Sequence, residues 1–206
     1  MKGFGDKNQS KNNKIRNENK KFNNDLLMKK AFQFQAEGKK LEAAKCYSYL
    51  IKNGFKDHRV FSNFGAFLKE IGKYQEAELE LNKAIKLNPK CANAFYNLAG
   101  LFLIKGDLIK GEIFLRKAID FKPDFASAHY NLGFILKNLG KLQEAKLYLQ
   151  KATEIDPHLT EAYLSLSTMK DEKKDPNWEN QLFAEGFLKN KNNRELLNIL
   201  FARSNV

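Results

Sequence analysis

Residues 72–77 read Gly-Lys-Tyr-Gln-Glu-Ala, and residues 140–145 read Gly-Lys-Leu-Gln-Glu-Ala. Two related copies occupy residues 38–43 and 106–111, the second of which ends in glycine instead of alanine. The glycines that open the four copies are each 34 residues apart: Gly38, Gly72, Gly106 and Gly140. A fixed period in the range of about 20 to 50 residues is typical of repeat architectures, so this spacing decides the fold.

A second register has the same period. Its members are three prolines, each five residues after an alanine: Pro89, Pro123 and Pro157 after Ala84, Ala118 and Ala152. A glycine accepts positive φ and turns the chain after a first helix, whereas a proline cannot continue a second helix and ends it. The pattern predicts a helix-turn-helix unit, and apolar residues at helical spacing predict a buried stripe on each first helix: Phe61, Phe64 and Leu68, then Phe95, Leu98 and Phe102.

With these features the chain resembles the tetratricopeptide-repeat (TPR) family, whose 34-residue unit carries an aromatic or large apolar residue, a turn glycine, alanines in the second helix and a closing proline. The resemblance implies an all-α fold, a right-handed α-solenoid of helix-turn-helix repeats. Residues 58–91, 92–125 and 126–159 match the pattern closely. Residues 24–57 match it less well, because Leu50 replaces the alanine and Phe55 the proline.

Residues 160–206 are expected to form a degenerate fifth repeat and a C-terminal helix. Lys174 occupies the turn-glycine register, and a second helix is predicted to begin at Asp175-Pro176. Four side chains are expected to face the stack: Trp178, Leu182, Phe183 and Phe187. The last helix, from about Asn193, carries Leu196, Leu197, Leu200 and Phe201 and is apolar for a terminal cap. This layout is similar to bacterial TPR arrays that precede a sulfotransferase or glycosyltransferase domain.

Residues 1–23 are predicted to be a disordered tail rich in lysine and asparagine. Residues 1–24 contain seven basic and two acidic residues, so +5 of the net charge of +12 lies there. The sequence contains neither the apolar core of a secretory signal nor an apolar run approaching the roughly 18 residues that cross a bilayer. Cys46 and Cys91 are expected to be reduced thiols. We therefore expect a cytoplasmic protein without a membrane segment.

The sequence predicts neither a catalytic residue, a metal ligand nor a cofactor site. The glycine-lysine pairs at 72–73 and 140–141 lack the spacing of a phosphate-binding loop and belong to the repeat turns. His129 occupies the register of Phe61 and Phe95, which favours a packed core histidine over a ligand or base. We therefore expect a protein that is not an enzyme.

The candidate binding surface is the concave face that the first helices line in a TPR stack. Asn63, Asn97 and Asn131 form a register there that Ser165 continues. An asparagine amide carries a donor and an acceptor, so it can pair with a peptide unit without reading the side chain. This row resembles the asparagine ladder of O-linked N-acetylglucosamine transferases. The alternative is that these asparagines cap or bridge neighbouring helices.

Other side chains are predicted on the same face: Tyr96, Tyr130, Lys69, Lys137 and Phe134. They offer stacking area and attraction for acidic groups, although the lysines alternatively belong to a solvated face. The clamp by which some TPR domains grip chaperone tails is not expected, because Met28 and Phe32 occupy its first-repeat positions.

Three functions are compatible with the sequence. The first is a scaffold whose groove holds an extended segment of a partner protein. The second is binding of nucleic acid or another acidic surface through the basic tail, which the isoelectric point near 9.5 favours. The tail has no arginine cluster and little aromatic content, so nucleic acid is not the expected partner. The third is a targeting or regulatory module of a transferase system. The sequence leaves the partner and the oligomeric state open.

Overall fold

A computed structural model describes residues 22–169, 176–184, 187–188 and 191–206. Throughout these ranges the regular structure is α-helical. The chain divides into two compact units, Met1–Pro89 and Lys90–Val206.

The N-terminal unit contains two helical hairpins. Helix α1 covers residues 22–36 and pairs with α2, Lys40–Lys52, whereas α3, His58–Glu70, pairs with α4, Tyr74–Leu87. The side chains between α1, α2 and the start of α3 are fully or nearly fully buried: Met28, Ala31, Ala43, Tyr47, Leu50 and Val60. Residues 22 and 23, assigned to the tail from the sequence, lie in α1, and residues 1–21 lie outside the described part of the chain.

The C-terminal unit contains seven helices in its described ranges. They are α5, Ala92–Ile104; α6, Leu108–Phe121; α7, Ala126–Asn138; α8, Leu142–Ile155; α9, Thr160–Ser167; α10, Pro176–Phe183; and α11, Asn193–Ser204. Helices α5 and α6 form one hairpin and α7 and α8 the next, while α6 packs on α7 and α8 on α9. Helix α11 packs mainly on α9.

The turns between paired helices follow the glycine register. The four register glycines have φ between 73° and 79°, a region that a side chain disfavours. At Gly72 the following amide, Lys73 N–H, donates to the Leu68 carbonyl at 2.9 Å and closes α3. The first repeat uses the same device where its proline is missing, since Gly54 has φ 77° and Phe55 N–H donates to the Leu50 carbonyl at 3.0 Å.

Small residues let paired helices approach closely. A Cβ atom added to Gly65 would lie 2.7 Å from Leu81 Cγ, and one added to Gly133 would lie 2.7 Å from Leu149 Cγ. Contacts this short force the facing leucine side chain to shift, and a side chain larger than alanine has to displace more of the facing helix. One hairpin in each unit therefore follows the same packing rule.

The degenerate end of the chain agrees with part of the prediction. Helix α10 begins at Pro176, and Trp178, Leu182 and Phe187 are buried, but Phe183 is 52% exposed, so the expectation for that side chain was wrong. Phe183 lies about 100° around the helix from Leu182 and leaves the buried face for that reason. Lys174 and Asp175 lie outside the described residues.

The last helix begins with a capping box. The Asn192 side chain accepts a hydrogen bond from Glu195 N–H, and the Glu195 carboxylate accepts one from Asn192 N–H. Its buried contacts come from Ile199 and Ala202, at 0% exposure. Among the apolar residues singled out from the sequence, Leu196 is half-buried, whereas three others lie at the surface: Leu197, Leu200 and Phe201.

Candidate functional site

Asn63 lies on α3 in the N-terminal unit and is half-buried. Its Nδ2 donates a hydrogen bond to the Tyr47 hydroxyl oxygen at 3.2 Å. The Tyr47 hydroxyl in turn donates to Gln35 Oε1 at 2.7 Å. We call Gln35, Tyr47 and Asn63 the amide relay, because a single buried hydroxyl joins two side-chain amides.

Tyr47 is only 2% exposed and packs in the core of the first hairpin. Burial raises the pKa of its hydroxyl, and the hydrogen bond from Asn63 acts in the opposite direction. The hydroxyl is therefore a neutral donor at physiological pH. With one proton given to Gln35, its oxygen is the acceptor for Asn63, which fixes the direction of both hydrogen bonds.

The amide relay lies along a shallow depression that we call the slot. It is lined by residues of α1, α2 and α3: Gln35, Lys40, Ala43, Ala44, Tyr47, Asn63, Ala66, Phe67 and Glu70. Three alanines among these residues leave room for a ligand atom. Lys40 Nζ and Glu70 Oε2 are 2.8 Å apart, so the two charges that border the slot neutralise each other.

The other two ladder asparagines lie in the C-terminal unit. Asn131 on α7 donates through Nδ2 to the Tyr96 hydroxyl at 3.2 Å, whereas Asn97 on α5 donates to the Asn93 carbonyl of its own helix at 2.9 Å. Both asparagines are half-buried. Each amide thus makes a hydrogen bond within the fold, which supports a bridging role for Asn131 and a helix-bound role for Asn97.

Tyrosines accompany this register. Tyr96 and Tyr130 are half-buried, and burial raises the pKa of both hydroxyls. The Tyr96 ring lies 4.7 Å from the Phe125 ring, and Tyr130 shares a hydrogen bond with Ser165, the residue that continues the asparagine register. The structure therefore brings Tyr96 and Asn131 together, and Tyr130 and Ser165 together, by the same step between neighbouring first helices.

The predicted cations differ from each other. Lys69, in the N-terminal unit, is half-buried, and burial lowers the pKa of its ammonium group. Lys137, in the C-terminal unit, donates at 2.6 Å to Oγ1 of Thr168, the residue that follows α9. Phe134 is 43% exposed, which leaves its ring available at the surface. Whether any of these side chains contacts a partner stays a prediction.

Two residues of the amide relay were missed from the sequence. Tyr47 occupies the register of Leu81, Leu115 and Leu149, so a tyrosine in a row of leucines was the available signal. Gln35 is exposed near the end of α1 and carries no pattern of its own. Its role depends on the position of Tyr47 in space.

The histidine that shares the register of Phe61 and Phe95 lies in the core. His129 is 6% exposed and its Nε2 lies 2.8 Å from the Pro123 carbonyl oxygen, as expected of a core histidine. In the described ranges, histidines, cysteines and carboxylates form no cluster of three that could hold a metal ion. Over the same ranges, every helix is too short or too polar to cross a membrane.

Comparison with known proteins identifies the repeat. A tetratricopeptide-repeat family model matches residues 126–159, and a second tetratricopeptide-repeat model matches residues 68–124. The chain belongs to the TPR family. The predicted all-α class of TPR helical hairpins is therefore confirmed. No curated protein matches the sequence significantly.

Solved TPR structures share the fold at low sequence identity. MamA of Desulfovibrio magneticus RS-1, from residue 41 to its end, superposes with a TM-score of 0.60 at 20% identity, covering 88% of this chain and 96% of MamA. YrrB, a TPR protein with an unusual peptide-binding site, gives 0.56 at 17% identity, with 86% and 85% covered. PilF of Pseudomonas aeruginosa gives 0.60 at 22% identity, with 69% and 65% covered. At these identities the likeness shows the fold alone.

Proposed function

We propose that this TPR protein is an interaction scaffold that holds an extended segment of a partner protein against the first-helix faces of its repeats. The observation that carries the proposal is the set of side-chain amides held in defined orientations by the fold, at Asn63, Asn97 and Asn131. A peptide backbone exposes alternating donors and acceptors, and a side-chain amide offers both. Amides at repeat spacing are therefore better suited to bind the backbone of a peptide than any one of its side chains.

The contacts within the fold refine this role. An Nδ2 group carries two hydrogens and Oδ1 two lone pairs, so one hydrogen bond to Tyr47 or Tyr96 leaves further capacity on the same amide. The hydrogen bond also restricts the rotamer of the asparagine, and a restricted side chain loses less entropy when a ligand binds. Bridging within the fold and binding are thus compatible functions of the same residue.

Aromatic and cationic side chains near the amides would add contact area. Tyr96, Tyr130 and Phe134 offer ring surface, and Lys69 and Lys137 would attract acidic groups of the partner. YrrB, whose fold this chain shares, has a peptide-binding site, and that supports peptide binding as the first function to test. The proposed function requires no catalytic residue and no cofactor.

The experiment is an affinity capture from the native cell lysate with mass spectrometry. The full chain is compared with the triple variant Asn63→Ala, Asn97→Ala, Asn131→Ala. We expect at least one protein to be retained by the wild type and lost by the variant. A matched control removes three exposed amides elsewhere, through Asn82→Ala, Asn138→Ala and Asn180→Ala, and should retain the same protein.

Thermal unfolding must accompany the capture, because the ladder asparagines also bond within the fold. The triple variant should keep its helical circular-dichroism spectrum and melt cooperatively. If it is folded and retains the same proteins as the wild type, the asparagines act only within the fold and the proposal is wrong.

A further inference from the structure

The amide relay of the N-terminal unit joins two first-helix amides through a second-helix tyrosine, an arrangement that the repeat pattern does not contain. It depends on Tyr47, a tyrosine in the register of Leu81, Leu115 and Leu149. Its two hydrogen bonds are 2.7 Å long from Tyr47 to Gln35 and 3.2 Å long from Asn63 to Tyr47. A leucine in the same place would fill the core equally well and leave both amides without this partner.

The relay has a fixed polarity. Gln35 turns its oxygen toward the Tyr47 hydroxyl, so its Nε2 group points away from it, and Asn63 turns its nitrogen toward the hydroxyl, so its Oδ1 points away. Both amides line the slot. The slot therefore presents a donor from Gln35 and an acceptor from Asn63, which are complementary to the carbonyl and the N–H of one peptide unit.

The charges around the slot indicate the class of ligand. Lys40 and Glu70 form an ion pair at 2.8 Å, so the rim offers no uncompensated charge to an ionic ligand. The floor contributes alanine methyl groups, from Ala43, Ala44 and Ala66, and Phe67 adds an apolar edge. An uncharged group that can both donate and accept a hydrogen bond matches these surroundings best.

We propose that the slot binds one peptide unit of an uncharged extended segment of the partner protein, with Tyr47 as the positioning residue that orients Gln35 and Asn63. This inference rests on the proposed function, since Asn63 belongs to both. It adds the position at which the segment is held in the N-terminal unit and the chemistry of the part that lies there.

The test uses the full chain and a defined probe, N-acetyl-trialanine N-methylamide, which is uncharged and has several peptide units. Titration is followed by the side-chain amide signals in ¹H–¹⁵N NMR spectra. We expect the signals of Gln35 and Asn63 to shift and Tyr47→Phe to weaken probe binding about fivefold, the effect of losing one oriented hydrogen bond.

Tyr163→Phe is the matched control. Tyr163 is fully buried and its hydroxyl also donates to a glutamine, Gln181, at 2.8 Å, but it lies in the C-terminal unit. This variant should leave probe binding within about twofold of the wild type, well below the effect of one lost hydrogen bond. Equal probe affinity in Tyr47→Phe and the wild type would overturn the inference, as would probe binding without a shift at Gln35 or Asn63.

A second variant tests the slot without changing a buried side chain. Gln35→Met removes the exposed amide and leaves Tyr47 in place, so folding is not at risk, and it should weaken the probe as much as Tyr47→Phe. Probe binding should also be unchanged between low and high salt, because an uncharged ligand gains nothing from unscreened charges. A steep salt dependence would contradict the neutral class of ligand.

The outcome separates this inference from the proposed function. If the captured partner is lost from the triple asparagine variant but retained by Tyr47→Phe and Gln35→Met, the scaffold function stands and the slot inference fails. If the probe binds the slot as expected while no partner is captured, the slot inference stands and the scaffold function fails.

Discussion

Asn63 and Asn131 occupy the same register in two units of the chain, and each donates a hydrogen bond at 3.2 Å to a tyrosine. The tyrosines come from different elements. Tyr47 belongs to α2, the second helix of its hairpin, whereas Tyr96 belongs to α5, a first helix. The repeat position thus determines the residue type, asparagine, and the helix face on which it lies. The hydrogen-bond partner of that asparagine depends on which neighbouring helix carries a polar side chain within reach.

The two units also share one packing rule, and the largest expected effect comes from breaking it. Gly133→Leu should lower the free energy of unfolding by about 3 kcal/mol, the upper end for overpacking, because the added side chain meets Leu149 and the Ala145 carbonyl. Gly65→Leu should lower the free energy of unfolding by a similar amount, because the added side chain meets Leu81. Chemical denaturation measures both.

The control for the packing rule is Gly133→Ala. Ala99 occupies the same register in the third repeat and is fully buried, so a methyl group is accommodated there. We expect a change within about 1 kcal/mol, since the helix propensity of alanine offsets part of the contact. If Gly133→Leu were as mild as Gly133→Ala, the close helix approach would not constrain this position.

The tyrosine pair tests the comparison directly. Tyr47→Phe should destabilise the protein by about 1 kcal/mol through loss of a buried hydroxyl with two hydrogen-bond partners. Tyr96→Phe should cost about half as much, because the Tyr96 side chain is only half-buried and water can replace the partners of its hydroxyl, Asn131 and Ser127. Urea denaturation of the two variants gives the difference. Equal costs would mean that burial does not distinguish the two tyrosines.

An ion network distinguishes the C-terminal unit. Arg116 on α6 contacts Glu112 at 2.8 Å and reaches α8 at Glu144, 2.6 Å away, and the Tyr148 hydroxyl, 2.9 Å away. Arg116→Met should cost about 1 kcal/mol at low salt and less at high salt, since the arginine is 36% exposed. In the N-terminal unit Asn82 has the register of Arg116, and Asn82→Met should change the unfolding free energy little. A salt-independent cost for Arg116→Met would assign the effect to packing.

The last prediction concerns the pH dependence of stability that Tyr163 causes, which is confined to alkaline solution. Burial, with a further contribution from the charge of Asp156, raises the pKa of Tyr163 to about 12. The unfolded chain loses this proton near the ordinary value of about 10, so the contribution to stability is complete below that pH and is lost as the pH rises toward 12. Tyr163→Phe should weaken the alkaline pH dependence of unfolding. An unchanged profile would contradict the assignment to this tyrosine.

The helical hairpins could be predicted from the sequence because their signals are local. The glycine register determines where a first helix ends, and the observed φ values at Gly38 and Gly140, both 73°, agree with that prediction. The start of α10 at Pro176 was predicted for the same reason. The exposure of Phe183 was not, because it depends on which face of a single helix finds a neighbour.

The candidate site divides in the same way. The sequence by itself determined the repeat, the helix boundaries and the register in which Asn63, Asn97 and Asn131 recur, since these follow from the backbone preferences of glycine and proline and from the helical period. Only the tertiary structure decided that Tyr47 joins Asn63 to Gln35, because a hydrogen bond between helices depends on distances of a few tenths of an ångström that no residue spacing contains.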